Sequence, residues 1–131
     1  MKPLDNSSVV DSSVATYWVD EDNIIYYNMK PVLIDSVDKA MEHFDVIRNL
    51  SHHTKACLVA DVSDLKPLSK EVQKYFGDEL PNIAVANAIV SKNPLGRMIA
   101  NLFFLLNASD FPMKSFSNVE DAKKWIIKFN H

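Results

Sequence analysis

Glycine is close to missing from this chain: two occur in 131 residues, Gly77 and Gly96. Phosphate-cradling loops need clustered glycines that let backbone N–H groups approach the ligand, so a nucleotide site of that kind is excluded. Cysteine occurs once, as Cys57 in the run Ala56-Cys57-Leu58-Val59-Ala60. A lone thiol cannot build a disulfide framework. Inside an apolar run it reads as a small buried residue, because burial disfavours the thiolate. That usage fits a reducing, cytoplasmic setting. An excess of basic residues is lacking too. Fourteen Lys and Arg stand against 17 Asp and Glu, a net charge of −3, and neutralising phosphates needs clustered cations, so no nucleic-acid partner is expected. Long apolar runs are absent as well. The longest, near Ile99 to Leu106, is far short of the roughly 20 residues of a membrane-spanning helix. No apolar stretch follows a basic start, so no signal peptide is expected.

What is present reads as one domain, since 131 residues suffice for a single hydrophobic core. Residues 1–13 are polar and read as a loose N-terminal arm, leaving 14–131 as the domain. Ala15-Thr16-Tyr17-Trp18-Val19 and Ile24-Ile25-Tyr26-Tyr27-Asn28-Met29 are aromatic and β-branched, with Asp20-Glu21-Asp22-Asn23 as turn material between them. They predict a β-hairpin. A helix follows over 36–50, with Asp35 as N-cap and Val37, Ala40, Met41, Phe44 and Ile47 as its inward stripe. The uninterrupted apolar runs 56–60 and 84–90 suit central strands covered on both faces. Between them, Ser69 caps a short helix to Phe76, with Gly77 in the place of a left-handed C-terminal cap. Asn93 and Pro94 open a third helix over 94–106. Pro112 to Phe116 reads as the last strand. Ser117 and Glu120 have capping-box spacing before a last helix whose Val119, Ala122, Ile126 and Phe129 share a face. The order β-β-α-β-α-β-α-β-α predicts an α/β fold: a mixed sheet with an N-terminal hairpin and about four flanking helices.

No catalytic motif stands out. The histidines, His43, His52, His53 and His131, have no metal-ligand spacing with Cys or Asp, and neither metal nor cofactor is expected. His52 and His53 read as solvated residues at a helix C-terminus. Cys57 in a strand interior is poorly placed to act with His53 as a nucleophilic pair. Two stretches remain. Asp61-Val62-Ser63-Asp64 ends a central strand, where partners of open α/β sheets dock, and the chain then runs to Ser69 at a helix N-terminus, where a phosphate would gain from unpaired N–H groups. The plainer account is that Ser63 closes a turn and Ser69 caps a helix. The helix over 94–106 is apolar nearly all round: Leu95, Met98, Ile99, Leu102, Phe103 and Leu106 supply a stripe, and Phe104 and Leu105 are left over. It reads as a buried helix, a homodimer surface or the wall of an apolar ligand pocket.

The element order resembles the STAS domain superfamily, in the branch of SpoIIAA-like anti-sigma-factor antagonists and SEC14-like domains. The resemblance covers roughly residues 14–129. It rests on Ala60-Asp61-Val62-Ser63 after a buried strand, on Pro94-Leu95-Gly96-Arg97 opening an apolar helix, and on Pro112 to Phe116 before Glu120-Asp121-Ala122-Lys123-Lys124-Trp125-Ile126. It implies a bacterial, cytoplasmic, non-enzymatic regulatory module whose protein partner is a kinase or anti-sigma-type regulator. It also implies a switch by phosphorylation of a serine at the start of the helix after Asp-x-Ser. The family shows Asp-Ser-Ser-Gly there; this chain has Leu68-Ser69-Lys70-Glu71, with Ser69 the nearest equivalent by position. The candidate partner surface is Asp61, Ser63, Asp64 and Ser69. The SEC14-like side of the resemblance implies, as the alternative, a carrier or sensor of a small apolar ligand.

Overall fold

A computed structural model describes residues 1–3, 8–93 and 111–130. Six strands form one sheet in the order of the chain: β1 (Val10–Asp11), β2 (Ala15–Val19), β3 (Ile25–Met29), β4 (Ala56–Asp61), β5 (Ala84–Val90) and β6 (Met113–Phe116). β1, β2 and β3 pair antiparallel, then β3, β4, β5 and β6 pair parallel. The mixed sheet and its hairpin edge are as the sequence predicts. Three α-helices lie among the described residues: α1 (Val37–Leu50), α2 (Lys70–Ile83) and α3 (Val119–Ile126). The expected helix over 94–106 lies outside the described residues, so three helices stand where about four were expected.

The period-two alternation of the strands sorts side chains into two cores. On one face Tyr17, Tyr27, Met29, Leu58, Ala60 and Ile89 meet Ala40, Phe44 and Ile47 of α1 and Val72, Phe76 and Leu80 of α2. On the other face Trp18, Tyr26, Cys57, Val59, Ala86, Ala88 and Val90 meet Ala122 and Ile126 of α3. The parallel strands β4 and β5 are thus covered on both sides, which is why they read as continuous apolar runs.

Several local details depart from the sequence reading. Ser36, not Asp35, caps α1 by accepting from the Lys39 N–H, and Asp35 instead pairs with the Lys39 ammonium at 3.1 Å. Met41 is exposed, whereas His43 is buried on the inward face. α2 does not stop at Gly77. No glycine takes a positive φ among the described residues, and the helix runs on through Pro81. Leu80 and Ile83, both buried, anchor that extra turn and a half, and burial on this scale outweighs the propensity of one glycine and one late proline. Asn118, not Ser117, caps α3 by accepting from the Asp121 N–H at 2.9 Å. The stretch read as a loose arm contributes β1. Met1 packs against the α3-side core, its ammonium at 3.2 Å from Asp61 Oδ2 and 3.3 Å from Asn28 Oδ1.

Candidate functional site

The carboxyl end of β4 leads into a loop over 62–69 and then α2. Asp61 is its buried anchor. Asp61 Oδ1 accepts from the Ser63 N–H at 2.9 Å, and Oδ2 faces the Met1 ammonium. Burial would raise this carboxyl, but the Ser63 hydroxyl and N–H and the Met1 ammonium outweigh burial and hold it below the usual carboxylate range. Ser63 ties the loop sideways. Its Oγ accepts from the Lys92 N–H at 2.9 Å, and its carbonyl accepts from Asn93 Nδ2 at 2.8 Å. Asp61 and Ser63 therefore brace the turn against the chain leaving β5.

Asp64 and Ser69 face outward. Ser69 caps α2, its Oγ accepting from the Val72 N–H at 3.2 Å while its carbonyl accepts from the Gln73 N–H at 2.9 Å. Gln73 Nε2 closes the cap on the Leu68 carbonyl at 2.8 Å. The four residues singled out from sequence thus share one strand-to-helix junction, two of them braced inside and two exposed. Leu95, Met98, Ile99, Leu102, Phe103 and Phe104, the candidate apolar surface, lie outside the described residues.

Beneath the same loop lies a feature that no contiguous motif in the sequence announces. A cavity of about 70 Å³ lies between the sheet and α1 and α2. Leu65 and Leu68 from the loop roof it, Phe44 and Phe76 form its helix side, and Ala60 lies on its floor. Three polar side chains converge there: His43, Tyr27 and Asn87. His43 Nδ1 and the Tyr17 hydroxyl share a hydrogen bond of 2.6 Å, and burial pushes the imidazole down to about 3, so the ring is neutral at physiological pH. The Tyr27 hydroxyl, raised by burial, faces the Asn87 side chain. The signal was in the sequence: Asn87 is the one polar residue in the apolar strand Ala84–Val90, and His43 lies three residues after Ala40 on the inward stripe.

Cys57 is buried and its thiol is raised by burial, which leaves it inert. His52 and His53 are exposed, with φ of 55° and 62°, and the His53 N–H bonds the Arg48 carbonyl at 2.9 Å to end α1. Among the described residues no group of three His, Cys, Asp or Glu could hold a metal ion, and no helix is long and apolar enough to cross a membrane.

The model of the family called Domain of unknown function (DUF7793) matches residues 17–130. The chain belongs to the DUF7793 family. No curated protein matches it. Among solved structures, this DUF7793 chain is similar to an uncharacterized protein of the DUF3478 family from Shewanella loihica PV-4, described as having a SpoIIAA-like fold. The TM-score is 0.57 at 13% identity, over 92% of this chain and 91% of the other. At that identity the likeness shows the fold, and the DUF7793 domain here has a SpoIIAA-like fold.

Proposed function

We propose that this DUF7793 domain is a non-enzymatic regulatory module of the cytoplasm that binds a protein partner through the β4–α2 junction, as anti-sigma-factor antagonists do. One observation carries the reading: an exposed serine hydroxyl caps a 14-residue helix directly beside a turn braced by Asp61 and Ser63. A phosphoryl group on Ser69 would meet the open N–H groups and positive end of α2, while the braced turn keeps its surroundings fixed. A partner reading that junction, of the kinase or anti-sigma-regulator kind, would feel the added charge against exposed Asp64. Self-association through the apolar stretch over 95–104 belongs to the same proposal, and a dimeric mass at micromolar concentration is its expected sign.

Native mass spectrometry of protein purified from its own host tests the switch. The expected result is a phosphate-sized increment mapping to Ser69 or Ser63. Ser69→Asp keeps a competent N-cap while adding charge, so it is expected to lose the partner that Ser69→Ala retains. Unchanged partner binding by both variants would discard the switch. A second reading, a sensor of a small apolar ligand, is favoured by the cavity under the same loop.

A further inference from the structure

We propose that the cavity between the sheet and helices α1 and α2 binds a small, uncharged, compact apolar molecule carrying one hydrogen-bond donor, which Asn87 Oδ1 receives. The inference rests on the sensor reading and is independent of the partner surface.

Asn87 is 3% exposed, and its Oδ1 is the buried side-chain oxygen left without a hydrogen-bond partner among the described residues. Burying such an acceptor unpaired costs about 1 to 3 kcal/mol. The Asn87 amide serves the buried Tyr27 hydroxyl, which a leucine of the same branching could not do, yet the Asn87 Oδ1 stays unmet. An acceptor kept at this position points to a donor that arrives from outside the chain. The register explains how the space arises. Tyr27 pairs with Ala60, and Ala60 with Ile89. The small Ala60 side chain, flanked by Tyr27 on β3 and Ile89 on β5, leaves a gap that Tyr27 and Asn87, which pairs with Leu58 two residues earlier on β4, both border.

Size and polarity narrow the occupant. Pockets for drug-sized ligands span about 300 to 1,000 Å³, so a cavity of about 70 Å³ that opens to solvent at the loop excludes a lipid chain and admits a short branched chain, or a single ring with its outer edge in the mouth. Water fills it poorly. One water needs only about 10 to 15 Å³ and wants two to four polar partners. The volume would take several waters, but among the described residues the lining offers only Asn87, Tyr27 and His43 as polar side chains and is otherwise apolar. No Asp, Glu, Lys or Arg lines the walls among the described residues, so a charged ligand would find no counter-ion. Leu65 and Leu68, both only half-buried, mark the entrance.

Phenol and toluene test this directly, being nearly the same shape with a hydroxyl exchanged for a methyl. Each is titrated into the full chain while amide chemical shifts are followed. The expected result is saturable binding at the cavity, with phenol bound about tenfold more tightly than toluene. Asn87→Leu is expected to reverse that order, and its retained toluene binding would show an intact cavity. Leu68→Trp, which closes the entrance, is expected to weaken both ligands. The phenol-to-toluene ratio in the unaltered chain decides even where a variant fails to fold. Saturable binding without preference for phenol would overturn the donor assignment and leave the sensor reading standing. Binding of neither at millimolar concentration would sink both.

Discussion

At their centres the two faces of this sheet are packed on different plans. Toward α3 the central strands β4 and β5 present Cys57, Val59, Ala86, Ala88 and Val90, small residues that let Ala122 and Ile126 sit close, while the aromatics Trp18 and Tyr26 stand on β2 and β3 and stack at 5.9 Å. Toward α1 and α2 the strands present Tyr17, Tyr27 and Met29 against an aromatic cluster of His43, Phe44 and Phe76. Rings pack at their own angles: Phe44 and Phe76 lie edge to face at 5.0 Å, and Tyr27 meets His43 edge-on at 4.9 Å. Large rings held that way leave gaps that small aliphatic groups would close. At the centre of the sheet one face is therefore a close joint of small groups, and the other holds space between its rings. In a sheet covered on both sides, function can be placed inside one layer while the other holds the fold together.

The strongest way to break this contrast is to remove its frame. Phe44, 1% exposed, touches the rings of His43, Tyr75 and Phe76. Phe44→Ala is expected to cost about 3 to 5 kcal/mol in chemical denaturation; a loss under about 1 kcal/mol would mean that the aromatic layer is not the scaffold of its face.

Acid separates the faces next. The unfolded His43 ring titrates near 6.5 and the folded one at about 3. Below 6.5 the unfolded chain takes up a proton that the fold refuses, so stability falls as pH falls, by about 1.4 kcal/mol per pH unit. Between 6.5 and about pH 4.5 this amounts to about 2 to 3 kcal/mol, before most carboxylates titrate. His43→Gln, which can still accept from Tyr17, is expected to remove most of that slope in urea melts run across the range.

Added volume sharpens the comparison further. Ala88→Val on the α3 face is expected to cost about 1 to 3 kcal/mol through overpacking. Ala60→Val, on the cavity floor, should stay within about 1 kcal/mol of the parent, because the methyl groups enter empty space. Equal costs at the two positions would argue that the faces are packed alike. The smallest effect is at the junction. Ser69→Ala should cost about 1 kcal/mol and Ser69→Asp only a few tenths, since aspartate caps as well as serine; thermal unfolding of the pair reads the difference.

Much of this architecture was legible because local and global preferences agree. Ala15–Val19 and Ala84–Val90 fall where apolar composition puts them, and Ser69 caps the helix that its position announces. Other details turned on choices between neighbours. Asp35 and Ser36 are both able caps, and Asp35 is drawn off by Lys39. Ser117 and Asn118 compete in the same way, and Asn118 also reaches Asp121 Oδ2 through its amide at 3.1 Å. Gly77 and Pro81 signal an end to α2, yet packing of Leu80 and Ile83 carries the helix past both. The junction of Asp61, Ser63, Asp64 and Ser69 was readable because it is contiguous in the chain. The cavity was not, because Tyr27, His43, Ala60 and Asn87 come from four elements and meet only once the strands are in register.

The two-residue strand β1 has a colloidal consequence. A sheet edge offers a row of unpaired donors and acceptors that can recruit an identical edge from another molecule. Left bare, β2 would offer five residues with Tyr17 and Trp18 among them, close to the composition of segments that stack into fibres. β1 covers Tyr17 and Thr16 instead, and it ends on Asp11, whose carboxylate is held by the Lys30 ammonium at 2.8 Å and the Thr16 hydroxyl at 2.8 Å. A strand arriving from a second molecule would meet a charge pair where it needs a ladder. The most aromatic hairpin of the chain is in this way denied to self-templating growth.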